Sequence, residues 1–166
     1  MLKGILKICL NILTVIILFV LQLYVFNNIY IFGVRFDCIA VYCIVFGLFN
    51  TLKISIPVSF VIGFFTDVIL GGGRLKYILI YMIVILVIEI LKSIYRLDNS
   101  KSIIIYTAIS FVVIQLLSVI FNYIDKGVAI NIFAYLFYVI KVILINAPLA
   151  YAMFILTAKI NQKLER

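Results

Sequence analysis

Long uncharged runs set the terms for this chain: from Ile8 to Phe26, and again from Ser102 to Ile124, no residue carries a charge. A helix needs about 20 mostly apolar residues to cross the roughly 30 Å of a bilayer's hydrocarbon core, and both runs reach that length. Of the 166 residues, 67% are hydrophobic and 12% are charged, against about half and a quarter in a soluble domain. Such a chain has too little polar surface to enclose a core in water. In lipid the solvent is itself apolar, and a helix satisfies its own backbone hydrogen bonds. Strands of a membrane barrel alternate in polarity and these runs do not. The expected fold is therefore all-α: a polytopic transmembrane helix bundle of about six spans, forming one integral membrane domain over residues 1–166.

The spans are expected near 5–26, 37–52, 54–70, 76–91, 102–124 and 130–158. Only Lys53 separates the second from the third, so these two read as a tight hairpin. Pro57, early in the third span, suits a first turn or a kink, because proline lacks the N–H that a helix interior needs. Lys3 and Lys7 precede the first run as in a signal peptide, but the run is too long and no A-x-A site follows it, so it reads as a retained helix. The Gly71-Gly72-Gly73 run opens a turn between the third and fourth spans.

Charge sets the expected orientation. With the N-terminus inside, the inner segments hold Lys3, Lys7, Lys53, Lys92, Arg96, Lys101, Lys159, Lys163 and Arg166. The outer ones hold Arg35, Arg74, Lys76 and Lys126, with Lys141 inside a span. This asymmetry follows the positive-inside rule and places both termini in the cytoplasm of a multi-pass protein. The net charge of +8 is thereby assigned to membrane orientation and lipid headgroups, not to nucleic acid. Tyr24, Tyr30, Tyr77, Tyr95 and Tyr123 fall near span ends, where amphipathic rings anchor helices at the interface.

Polar residues inside the runs are the candidate functional positions. Ser55, Ser59, Gly63 and Asp67 are spaced by four, so they stack on one face of the third helix. Small residues on one face let another helix approach closely, which makes this a helix-packing or partner face. Asp67 has three readings: a cap or interhelical hydrogen bond, a ligand or proton-relay group, or part of a docking surface. Lys141 is expected either to pair with Asp67, relieving both desolvation costs, or to snorkel to the headgroups. Glu89 and Lys92 sit one turn apart, a spacing for a local pair. Asp37 opens the second span. Asn11, Gln22, Gln115, Asn122 and Asn146 are candidates for hydrogen bonds between helices, and Pro148 for a kink.

Catalytic chemistry has little to work with. There is no histidine, the commonest general base, and no Ser or Cys has a visible activating partner. The stretch Gly63-Phe64-Phe65-Thr66-Asp67 is not the GxGD arrangement of intramembrane aspartyl proteases, and no GK[ST] follows the glycine run as a P-loop requires. Cys9, Cys38 and Cys43 lack metal-ligand spacing and read as reduced structural thiols. No enzyme activity, metal or cofactor is expected.

Two stretches resemble the MreD family of bacterial rod-shape-determining membrane proteins. The first, Phe32-Gly33-Val34-Arg35-Phe36-Asp37, is similar to that family's short loop ending in Pro-Asp before the second span. The second, Ser59-Phe60-Val61-Ile62-Gly63-Phe64-Phe65-Thr66-Asp67, is similar to its GF-x-x-GL-x-x-D stretch. The Gly-rich turn and the tyrosine-bearing fourth span also fit. Phe36 stands where the family usually has Pro, Ser59 where it often has Gly, and Lys76 where a Gly commonly follows. The resemblance implies a non-enzymatic scaffold of the cell-elongation machinery in the bacterial cytoplasmic membrane. It implies MreC as a direct partner and, through MreC, the MreB filaments, the glycan polymerase and the crosslinking transpeptidase. It also implies a fold like the six-helix substrate-binding components of ECF vitamin transporters. A small-solute uptake component of that kind is the alternative expectation, with a polar outer pocket gathering Asp67, Lys141, Asn122 and Arg74 as its mark.

Overall fold

A computed structural model describes residues 2–69, 75–94, 100–126 and 131–165. The chain is helical almost throughout: α1 (Leu2–Tyr24), α2 (Cys38–Phe49), α3 (Leu52–Ile69), α4 (Lys76–Ile94), α5 (Ser100–Lys126) and α6 (Ile132–Glu165). Among the described residues, four helices are long and apolar enough to cross a membrane, within α3, α4, α5 and α6. Their outward faces carry large apolar side chains, such as Phe64 and Val68 on α3, Ile90 on α4 and Phe137 and Leu144 on α6. In water so much exposed apolar area would drive association; lipid accepts it. The chain is a membrane protein.

The second helix departs from expectation. The run at 37–52 is read as a span, yet α2 has 12 residues, which at ~1.5 Å per residue gives about 18 Å. Every residue from Cys38 to Leu48 is buried. A run of 10 to 14 apolar residues is more often a core helix than a crossing one, and α2 is the axis on which the other helices pack. Its C-terminus is closed by Asn50, whose backbone N–H and side-chain amide both donate to the Phe46 carbonyl. Lys92 of α4 then donates to the Asn50 carbonyl at 2.7 Å. The turn between α2 and α3 thus falls at Asn50 and Thr51, and Lys53 lies inside α3. Pro57 lies further into α3 than a first turn, with its ring on an exposed face.

The segment before α2, expected as a loop, is a small β-hairpin. A 3-10 turn at Phe26–Asn28 leads into β1 (Tyr30–Ile31), which pairs antiparallel with β2 (Val34–Arg35). Phe32 and Gly33 both have positive φ, 52° and 80°, as a two-residue hairpin turn with right-handed strand twist demands. Glycine is the natural residue there; Phe32 is held in a left-handed conformation that costs a non-glycine residue energy. Across the pair, the Arg35 guanidinium sits over the Tyr30 ring at 5.8 Å.

The sixth helix is the longest, at 34 residues, and continues past the expected end at 158. Asn131 starts it: its side-chain carbonyl accepts from the Phe133 and Ala134 amides at 3.1 and 3.3 Å, an N-cap of the ordinary kind. Pro148 lies within it. Gly71, Gly72, Gly73, Arg74 and Tyr95 lie outside the described residues.

Candidate functional site

The face spaced by four on α3 turns inward. Ser55, Ser59, Gly63 and Asp67 are all buried, and the last two grip the start of α4. A Cβ built on Gly63 would lie 2.6 Å from the Ile78 Cα and 2.9 Å from the Tyr77 carbonyl oxygen. Both atoms are backbone, so only glycine allows α3 and α4 to approach this closely. One turn further on, the Asp67 carboxylate accepts from the Tyr77 amide through Oδ1 and from the Ile78 amide through Oδ2, each at 3.0 Å. These amides belong to the first turn of α4, where no intrahelical acceptor exists. A carboxylate there also faces the positive end of the helix dipole. Asp67 is therefore a cap supplied by a neighbouring helix, and it is 1% exposed. Ser59 and Thr66 donate back to the Ile56 and Ile62 carbonyls of their own helix, both at 2.8 Å.

The expected pair of Asp67 with Lys141 does not form. Both carboxylate oxygens are taken by amides, and Lys141 is exposed on α6. Lysine's long apolar stem lets a membrane helix carry its charge outward in this way. Lys141→Ala is accordingly expected to move the thermal midpoint of the detergent-solubilised protein by no more than a surface substitution does, under about 0.5 kcal/mol. A loss several times larger would mean that Lys141 has a buried role. Glu89 pairs with Lys92 at 3.1 Å, one turn away, as the spacing suggests.

A second polar constellation lies where α1, α3 and α5 end and α2, α4 and α6 begin, away from both chain termini. Its centre is the junction Phe36-Asp37-Cys38. Asp37 caps α2, its Oδ1 accepting from the Ala40 amide at 2.9 Å. Gln22 of α1 donates to the Phe36 carbonyl and accepts from the Cys38 amide, both at 2.9 Å. From the opposite side Asn146 of α6 accepts from the Asp37 amide at 2.8 Å and donates to the Val142 carbonyl of its own helix at 2.9 Å. Gln22 and Asn146 are 5% and 0% exposed. Two buried side-chain amides, from α1 and α6, thus clamp the backbone entering the central helix and satisfy the Asp37 and Cys38 amides, as a low-dielectric interior requires.

Beside this junction is a cavity of about 470 Å³. Tyr77 and Tyr81 of α4, Tyr135 and Tyr138 of α6, and Gln115, Ser118 and Asn122 of α5 line it with Asp37, Arg35 and Lys76. Lys76 donates to Asn122 at 3.0 Å and lies over the Tyr77 ring at 5.5 Å. Of the pocket expected from sequence, Asn122 is here. Asp67 is not among the lining residues, Lys141 is exposed elsewhere, and Arg74 lies outside the described residues. Tyr77 is expected only as an interfacial anchor, and Tyr81, Tyr135, Tyr138 and Ser118 are not among the candidate positions, although Tyr77 with Tyr81 and Gln115 with Ser118 and Asn122 recur at helical spacing.

A third feature is apolar. Between α1 and α3, over the flank of α2, runs a groove of about 670 Å³ lined by residues such as Phe19, Val20, Phe46, Val61 and Phe65. It follows α3 from Ile54 to Ile69. Buried free thiols complete the inventory: Cys38 and Cys43 lie within α2. Comparison with protein-family models, with curated proteins and with solved structures yields no match to this chain.

Proposed function

We propose that this protein is a non-enzymatic membrane scaffold of the MreD kind, which binds the single span of MreC. Through MreC it would connect MreB filaments to peptidoglycan synthesis and help keep a rod-shaped cell rod-shaped. The observation that carries the reading is the coincidence between the resemblance and the architecture. Gly63 and Asp67, which define the longer motif, are the two residues that fasten α3 to α4. Asp37, which ends the shorter motif, is the cap of the central helix. Structural roles at the motif positions support the resemblance.

On this reading α1 joins α3 to α6 in crossing the cytoplasmic membrane, α2 is carried inside the bundle, and both termini face the cytoplasm. The groove between α1 and α3 is the seat for the MreC span. Packing between membrane helices rests on van der Waals fit along a shared length, and this groove offers an apolar trough along the whole of α3. Photo-crosslinkers placed at Val20 and Val61 of the tagged protein in its native membrane are expected to capture MreC at near-stoichiometric yield. Labelling of lipid alone would move the partner elsewhere, and crosslinking to a second copy would make the groove a dimer contact.

The polar cavity favours a second reading, a solute-binding component of an ECF-like uptake transporter. Affinity purification followed by mass spectrometry separates the two. Recovery of MreC supports the scaffold; recovery of ATP-binding transporter subunits without MreC supports uptake.

A further inference from the structure

The cavity has a chemical signature of its own, independent of whether the chain is a scaffold or an uptake component. Its volume of about 470 Å³ lies within the roughly 300–1,000 Å³ of small-molecule sites. Its wall mixes one carboxylate, several phenol rings and two cations, and much of its hydrogen-bonding capacity is unspent. Asp37 lines the cavity, uses Oδ1 for the Ala40 amide and lies within electrostatic reach of Arg35, with no further hydrogen bond to its carboxylate among the described residues. Gln115, Ser118 and Tyr138 make no hydrogen bond within the described residues. The Tyr135 hydroxyl is buried with no hydrogen-bond partner among the described residues. Burying such a group is costly unless something bonds to it.

The arrangement of these groups selects a ligand. Asp37 is within electrostatic reach of Tyr77 and Tyr81, and Tyr77 of Tyr138. A carboxylate beside several aromatic rings is the environment that attracts an organic ammonium ion, through Coulomb attraction and the negative faces of the rings. Lys76 and Arg35 supply positive charge on the same wall; they disfavour a simple cation and favour a molecule that carries an anionic group as well. Asn122, Ser118 and Gln115 form one stripe of α5 suited to a phosphate or carboxylate oxygen. Among the described residues, cysteine and acidic side chains form no group of three or more that could hold a metal ion.

We propose that the cavity binds an ammonium zwitterion, its ammonium at Asp37 among the tyrosines and its anionic group toward Lys76 and Asn122. That chemistry belongs both to free phosphoethanolamine-type solutes and to the headgroup of phosphatidylethanolamine. The cavity's place at the ends of the helices is the depth at which headgroups lie.

The test uses the purified full chain. Calorimetric titration in detergent with phosphoethanolamine, and with glycerol 3-phosphate as the anion lacking an ammonium, reads the free-solute arm. Thermal midpoints in nanodiscs of phosphatidylethanolamine against phosphatidylglycerol read the lipid arm. Phosphoethanolamine is expected to bind more tightly than about 1 mM and glycerol 3-phosphate at least tenfold more weakly. Asp37→Asn keeps the capping oxygen but removes the charge. It is expected to weaken binding about 10- to 100-fold, the worth of a charge-assisted hydrogen bond, with its midpoint retained. Tyr138→Ala, which removes an aromatic ring without touching the α2 cap, is expected to weaken it as well. Stabilisation by phosphatidylethanolamine that Asp37→Asn abolishes, without binding of the free solute, assigns the site to the lipid. Equal binding of glycerol 3-phosphate, indifference to both substitutions, or no response in either arm overturns the proposal.

Discussion

Gly63→Leu is expected to leave almost no folded protein in the membrane, and even Gly63→Ala should lower the thermal midpoint by about 2–12 °C. The added Cβ would stand 2.6 Å from the Ile78 Cα and 2.8 Å from the Ile78 nitrogen. Backbone cannot rotate away as a side chain can, so α3 and α4 must part by about 1 Å or shear. Overpacking of this kind costs about 1–3 kcal/mol for a single methyl, and a midpoint moves ~2–4 °C per kcal/mol in a chain of this size. Leucine adds three more carbons at the same point. In a Cys9→Ser background, Cys38 and Cys43, buried in α2, provide the readout: a thiol-reactive dye stays dark until heating exposes them. An unchanged melting curve for Gly63→Ala would mean that the helices have slack here and that the close approach is not a constraint.

Asp67→Leu is expected to be nearly as damaging, for a different reason. The leucine fits an apolar neighbourhood but leaves the Tyr77 and Ile78 amides without acceptors. Each orphaned buried donor costs about 1–3 kcal/mol, so the loss is about 4 kcal/mol, and lipid gives no water to repair it. Asp67→Asn should fall between, because its single carbonyl can serve one amide well. The same thiol-exposure curve ranks the three proteins. An order in which Asn is as harmful as Leu would place the importance in the charge rather than in the two hydrogen bonds. Ser59→Ala, which loses only a bond to the Ile56 carbonyl of its own helix, should be close to neutral beside either.

Hydropathy carried much of the architecture. The runs at 76–91 and 102–124 correspond to α4 and α5 within a few residues, because long apolar stretches bounded by basic residues admit few other arrangements. What hydropathy does not distinguish is the kind of apolar surroundings. The segment of α2 is as apolar as a lipid-facing span, yet its neighbours are protein on every side; only its length hinted at the difference. The hairpin at Tyr30–Arg35 was hidden because Phe32, a poor residue for a left-handed turn, occupies one of its two corner positions.

At the candidate sites the periodicity of Ser59, Gly63 and Asp67 predicted a shared face, and the structure supplies what that face meets. Asp67 and Lys141 look like natural partners in sequence, being charges of opposite sign within apolar runs. Backbone amides at a helix start compete for a carboxylate as effectively as a lysine does, and sequence gives no notice of them. The cavity differs from the expected polar pocket for a related reason: Tyr77 reads as an interfacial anchor, and Tyr81, Tyr135 and Tyr138 carry no signal of their own, until folding brings α4 and α6 to the wall beside Asp37.

The clamp on the central helix has a consequence for how the chain is made. Ribosomes deliver Gln22 early and Asn146 last, and the amide of Asp37 is satisfied only by Asn146. Until α6 enters the bilayer, the entry to α2 lacks one of its two fastenings, and a helix too short to cross by itself must wait among partly assembled neighbours. A chain truncated before Asn146 would therefore leave the Asp37 amide without its acceptor, so the entry to the central helix is secured only once α6 is in place.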